Sequence, residues 1–345
     1  MKCTVCGSPK TEKIIEYGDI PLCDKFFGNK DIARSVKKFN ITVQHCFVCS
    51  HSELIEKVPK EKIYSDYIYK STSSPDLKKH FAEYATWADE LMPKRSNVRK
   101  HMDIGCNDGL LLDETWNKGF ETTGIDPSPI AKSVHKDKHT IINEYFSIQV
   151  IEENGMIEMF DIITSNNTFA NIENVNEFIK TAYRALKFNG NLVIETINFD
   201  SLLENHVYEM INHEHYHYFS IRSIAYVLEK NGFKVLDIKN IDTKGGSMRV
   251  CAKKVDINLY SVCIENDHLK EIKVDKINKF KETLIDLRDK VNHKLDKIDG
   301  CLFGFGAVGG SVILSYLLKI NDRLDYYVDD NLERHELYSP FDATP

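Results

Sequence analysis

"VRKHMDIGCNDGLLLDETWNKGFETTGIDPSP" (residues 98–129) runs from a short apolar stretch through a glycine turn and an amphipathic stretch to a second apolar run closed by an acid. The pattern reads as strand, turn, helix, strand, the first crossover of a parallel α/β sheet. Asp103, Gly105, Asn107 and Gly109 set the turn as D-x-G-x-x-x-G, and Asp126, followed by Pro127, ends the second strand. Glycines let the backbone approach a ligand closely, and an acid at the end of the second strand accepts both hydroxyls of a ribose. Asp103 stands where a dinucleotide turn carries its opening glycine. A carboxylate there disfavours a pyrophosphate and favours a ligand bearing an ammonium group. The expected cofactor is S-adenosylmethionine (SAM).

Working outward, "FDIITSNNTFA" (160–170) is a strand that ends in Asn166 and Asn167, amides suited to a carbonyl or amine at the C-terminal edge of a sheet. A helix over 176–188, the strand "NLVIETI", a helix over 221–231 and the strands "KVLDIKNI" and "SMRVCAKK" bring to six the strands named for a seven-strand alternation with an antiparallel end. On the N-terminal side, "PDLKKHFAEYATWADEL" reads as a helix, and the tyrosine-rich "YSDYIYKSTSS" precedes it.

The first fifty residues hold two C-x-x-C pairs, Cys3/Cys6 and Cys46/Cys49. Each presents two thiolates from a tight turn, and together they close a tetrahedral zinc site. A module this small needs such a staple. Cys23, between the pairs, and His51, just beyond the second, are alternative ligands. Four protein ligands leave no position for water, so this zinc is expected to be structural.

The chain has 345 residues, enough for more than one hydrophobic core, with 42% hydrophobic and 28% charged residues, as in a soluble globular protein. Its net charge of −7 gives no general attraction to a phosphate backbone, so nucleic acid is not an expected partner. "MKCTVCGSPK" has no apolar signal region, and no apolar run of about 18 residues follows. A cytoplasmic protein without a membrane span is expected, with its 9 cysteines reduced or bound to metal.

Two stretches compete with the SAM reading. In "INHEHYHYFS" (211–220), His213, Glu214 and His217 satisfy H-E-x-x-H, the zinc-and-base pattern of a metalloprotease helix. Here the stretch follows a strand end, at the crevice where α/β sheets bind substrates, so a polar substrate pocket is the preferred reading. Near the C-terminus, after a long charged stretch that reads as one amphipathic helix, Gly304, Gly306 and Gly309 form G-x-G-x-x-G, with Asp329 about twenty residues later. Taken alone this proposes a nicotinamide cofactor, but the chain has room for only one βαβ unit there.

The Cys₄ pairs, "DIGCNDG", "GIDPSP", "NNTFANIENVNEFI", "HEHYHYFS" and "GGSMRV" occur in order along nearly the whole chain. In this the chain resembles the SAM-dependent deoxysugar C-methyltransferases, which act on nucleotide-linked keto-sugars. The resemblance implies an α/β fold: a Rossmann-like class I SAM methyltransferase sheet at 63–258, a zinc module at 1–62, and at 259–345 a long helix with a shortened Rossmann-like βαβ domain that contacts the nucleotide-sugar. It places SAM on Asp103, Gly105, Asn107, Gly109, Asp126, Pro127, Asn166 and Asn167, and structural zinc on Cys3, Cys6, Cys46 and Cys49. It brings Glu214 and the base position His215 beside the sugar, with Tyr67, Tyr69, Asn171 and His213 as candidate donors to an enolate. Asn171 and Asn212 depart from the family, which usually has His and Tyr there. An O- or N-methyltransferase on a related sugar and a non-catalytic SAM or nucleotide-sugar binder are the alternatives. The nucleotide, the acceptor atom and the oligomeric state are not specified by the sequence.

Overall fold

The computed structural model describes residues 1–23, 25–64, 70–92, 98–256, 272–331 and 334–340. In chain order its strands are β1 (Thr11–Pro21), β2 (Lys38–Cys46), β3 (Ser52–Leu54), β4 (Arg99–Ile104), β5 (Phe120–Ile125), β6 (Thr140–Ile142), β7 (Phe160–Asn166), β8 (Leu186–Ile197), β9 (His217–Tyr218), β10 (Phe233–Ile241), β11 (Ser247–Lys254), β12 (Phe303–Phe305) and β13 (Tyr326–Val328). Seven of them form one sheet in the order β10-β11-β8-β7-β4-β5-β6. β4 pairs in parallel with β5 and β7, and β11 runs antiparallel to both β8 and β10. Read from β6 and numbered within the sheet, the order is 3-2-1-4-5-7-6. The order reverses between β4 and β7, and a crevice opens at such a switch point beyond the strand ends.

Local chemistry sets the helix ends. The helix Pro75–Leu91 starts where Ser74 accepts from the Leu77 amide and proline occupies the first turn. The helix Val175–Ala185 stops short of the 188 read from sequence, because Leu186 pairs with Phe160 and already begins β8. Ser220 and Ser223 cap the helix Ile221–Lys230 reciprocally. The long charged stretch contains a helix at Val274–Leu295, while its first residues lie outside the described ones. No helix among the described residues is long and apolar enough to cross a membrane.

A second sheet has the order β1-β2-β3-β9. Its last strand comes from the 211–220 block, whose His217 and Tyr218 pair with Glu53 and Ser52. The cysteine-bearing segment and the block after β8 are thus one sheet, a joint that no local pattern announces. One core joins Ile15, Phe39 and Val43 of this sheet to Tyr216 and Tyr218 of the block and to Phe280 and Ile313 of the C-terminal helices. Another joins Cys3, Cys46 and Cys49 to Phe169, Phe178 and Phe219. Near the C-terminus, β12 and β13 pair in parallel around the helix Gly309–Leu318.

Candidate active site

The crevice is a cavity of about 370 Å³ walled by the ends of β4, β5 and β7, within the usual range for small-molecule sites. Gly105 sits at φ +79°, and a Cβ there would meet Thr168 Oγ1 at 2.1 Å. Gly109, at φ +81°, would collide with Val134. Both turn positions therefore require glycine. Asp126 accepts from the Asn107 amide at 2.9 Å and the Ser128 amide at 2.7 Å, which aims its carboxylate across the turn. Asp103 is buried and pushed up to about 7, chiefly by burial, although Thr164 donates to it at 2.6 Å. Ser128 Oγ, Asn166 Oδ1 and Asn167 Oδ1 are buried without a hydrogen-bond partner among the described residues. A desolvated carboxylate with amide and hydroxyl oxygens around it is a donor set for an ammonium and a ribose. SAM, with its ammonium, its ribose and a cationic sulfur, fits this cavity.

Asp126→Ala removes an acceptor for two hydroxyls, and a hydrogen bond to a charged group contributes roughly 1.5 to 3 kcal/mol. Affinity for S-adenosylhomocysteine is expected to fall at least about tenfold. Calorimetry on the folded variant checks this, and an unchanged Kd would place the cofactor elsewhere.

Asn107 and Asp108 have a further task. Asn107 Oδ1 accepts from the Ser71 amide at 3.0 Å, and Asp108 Oδ2 from the Thr72 amide at 2.9 Å. The glycine turn thereby fastens the C-terminal end of the tyrosine-rich stretch. Tyr67 and Tyr69 themselves lie outside the described residues.

Cys3 Sγ lies 3.7 Å from Cys49 Sγ, and Cys6 Sγ 3.6 Å from Cys46 Sγ. A tetrahedron with zinc–sulfur bonds of about 2.3 Å has edges of about 3.8 Å, so the four thiols fit zinc. The contact between Cys3 and Cys49 holds Cys3 down at about 6 and drives Cys49 far up. Burial pushes Cys6 up to about 11. The sulfurs cannot all ionise alone, whereas a dication allows it. Cys23 packs elsewhere, against the core of the β1–β2 sheet, and His51 turns to His217.

The 211–220 block is a turn leading into β9, with no helix that would place His213 and His217 on one face. His213 Nε2 bonds the Phe39 carbonyl at 3.0 Å, in the interface with β2. His215 Nδ1 donates to the Met210 carbonyl at 2.8 Å, leaving Nε2 with the lone pair. Burial first, with Lys244 adding to it, lowers His215 to about 4. Asn212 holds the turn, accepting from the Glu214 amide and donating to the Glu209 carbonyl. Asn171 lines the cavity and donates to Tyr64 Oη at 2.8 Å, whereas His213, Glu214 and His215 are not among the residues that line it.

Sequence reading missed Tyr64 and Lys244, both on the cavity wall. Lys244 adopts φ 50°, just before Gly245 and Gly246, and its charge acts on Glu214 as well as on His215. A lysine beside a double glycine was the available signal.

Asp329 repeats the geometry of Asp126, accepting from the Ala307 amide of the second glycine turn at 2.7 Å. Burial raises its carboxyl, but the amides of Asn331 and Ala307 and the Arg334 guanidinium outweigh that and hold it low.

Strand order, glycine turn and carboxylates together define a class I SAM methyltransferase domain, joined to a Cys₄ zinc module. A family model described as "Methyltransferase domain" matches residues 77–238, and one described as "Putative zinc binding domain" matches residues 3–64. The chain is similar to C-methyltransferase NovU of Streptomyces niveus, 25% identical over 259 residues, which cover 73% of this chain and 60% of that protein. It is also 33% identical over 100 residues to the ubiquinone biosynthesis O-methyltransferase of Bradyrhizobium diazoefficiens, covering 28% of this chain and 39% of that one. The chain thus spans 60% or less of the length of these relatives. Among solved structures, a SAM dependent methyltransferase from Archaeoglobus fulgidus aligns at 18% identity and a TM-score of 0.41, over 50% of this chain and 94% of that one.

Proposed function

We propose that the chain transfers the methyl group of SAM to a carbon of a nucleotide-linked keto-sugar, after proton removal beside the keto group. The observation that carries this reading is a neutral, oriented imidazole, His215, next to a cavity-lining cation, Lys244. Bound SAM supplies an activated methyl group, so the protein's task is to make a carbon nucleophile at attack distance.

His215 Nε2 takes the proton, since the Met210 carbonyl already holds its Nδ1–H. Lys244, Tyr64 and Asn171 supply positive charge and donors to the enolate oxygen, with Tyr67 and Tyr69 as further donors. Glu214 balances Lys244 and holds a sugar hydroxyl. The glycine turn at 304–309 contacts the nucleotide portion, and the working units are the zinc module (1–62), the SAM domain (63–258) and the C-terminal helix and βαβ unit (259–345). The C-methyltransferase relative supports carbon as the acceptor. Asn171 and Asn212, where the family carries His and Tyr, favour oxygen or nitrogen as the second reading.

Incubation with SAM and a panel of nucleotide-linked keto-sugars, followed by NMR of the product, tests this. A methyl on carbon is expected, together with deuterium exchange of the acidic C–H when S-adenosylhomocysteine replaces SAM. A methyl on oxygen or nitrogen would establish the second reading. Absence of S-adenosylhomocysteine with every sugar would leave a binding protein.

A further inference from the structure

His51, Glu53 and His217 are each at most 2% exposed, yet only strand pairing brings them together. His51 and Glu53 are two residues apart on the β3 strand path, so they share a face. Glu53 and His217 are direct partners across β3 and β9, so His217 joins that face. His51 Nε2 lies 2.9 Å from His217 Nδ1, and His217 Nδ1 lies 3.9 Å from Glu53 Oε2. All three donor atoms fall within 4.8 Å of one another.

We propose that these three residues form a second zinc site, distinct from the four cysteines, which ties the N-terminal sheet to the 211–220 block. Two neutral imidazoles and a carboxylate are a regular zinc donor set, with bonds of about 2.0 to 2.2 Å and ligand separations near 3.4 Å. Reaching that geometry asks the histidine pair to open by roughly 0.5 Å and Glu53 to close on His217 by about as much, within the reach of small side-chain rotations. The outer shell is already built. Glu53 Oε1 accepts from the Thr4 amide at 3.0 Å and Gln44 Nε2 at 3.1 Å, and Thr4 Oγ1 donates to Oε2. The His51 ring lies 4.7 Å from that of Phe219, and the carbonyls of Glu173 and Ile172 face the His217 ring. Such contacts fix ligand orientation in metal sites.

Without metal, the facing nitrogens share one proton, and the outer ones, His51 Nδ1 and His217 Nε2, are buried without a hydrogen-bond partner among the described residues. Lys57, 3.7 Å from Glu53 Oε2, then supplies the counter-charge and is the cation that zinc displaces. Ile172 and Glu173 also line the SAM cavity, so the site stands directly behind its wall. An ion there fixes the turn that carries Glu214 and His215.

The test is zinc per chain in the whole protein after loading with Zn²⁺ and dialysis, with anomalous scattering at the zinc edge from its crystals. Two ions per chain are expected, the second within bonding distance of His51 and His217. His217→Gln should retain one ion, on the cysteines, with S-adenosylhomocysteine binding reporting the fold. One ion per chain in the loaded wild type, an anomalous peak at the cysteines alone, or two ions retained by His217→Gln would each overturn the proposal. If His217→Gln fails to fold, the wild-type count and map decide by themselves.

Discussion

His215→Asn is expected to lower turnover by about two to four orders of magnitude, the usual contribution of a positioned base, while leaving S-adenosylhomocysteine binding and the fold in place. The Met210 carbonyl fixes the tautomer and burial keeps the ring neutral, so the wild-type lone pair on Nε2 is available at pH 7. Asparagine can keep the bond to Met210 but cannot accept the proton. The pH profile carries an independent signature. A base works unprotonated, and with its pKa lowered to about 4 the rate should hold as pH falls through 6.5 and decline only near 4. An ordinary exposed histidine would place that limb near 6.5. Near-normal turnover in the variant, or an acid limb near 6.5 that the variant retains, would reject His215 as the base.

Cys46→Ser is expected to cost the N-terminal module its cysteine-bound zinc and its order. Structural zinc binding contributes about 10 to 16 kcal/mol in small modules, as much as the whole stability of an ordinary domain, about 5 to 15 kcal/mol. Cys46 ends β2, which pairs with β3, and β3 holds β9 of the 211–220 block. The damage should therefore spread to the block, so that methyl transfer is lost while the cofactor crevice on β4, β5 and β7 still binds S-adenosylhomocysteine. Metal analysis and hydrogen exchange over 38–54 and 217–218 check it. Full zinc content, or protection unchanged across β2, β3 and β9, would contradict the assignment.

The sequence by itself determined the parts whose physics is local. Gly105 and Gly109 require positive φ and have no room for a side chain, Asp126 follows from the end of a strand, and two C-x-x-C spacings each offer two thiols within four residues, although the contacts that join Cys3 to Cys49 and Cys6 to Cys46 are tertiary. Six of the seven strands of the class I sheet were equally legible, because periods of 2 and 3.6 are properties of short segments; the three-residue β6 was too short to show one. Tertiary structure decided what "HEHYH" is. Strand pairing is a contact between distant segments, and nothing within the block states that its partner is β3. That pairing turns His217 toward His51 and Glu53, while packing against β2 gives His213 the Phe39 carbonyl. Tertiary packing of the β10–β11 connection likewise brings Lys244, thirty residues beyond Glu214 in sequence, into the electrostatic reach of Glu214 and His215. The H-E-x-x-H spacing has its zinc meaning only on a helix, where residues four apart share a face. Here His213 lies in a turn and His217 in β9, so the two share no helix face and find other partners.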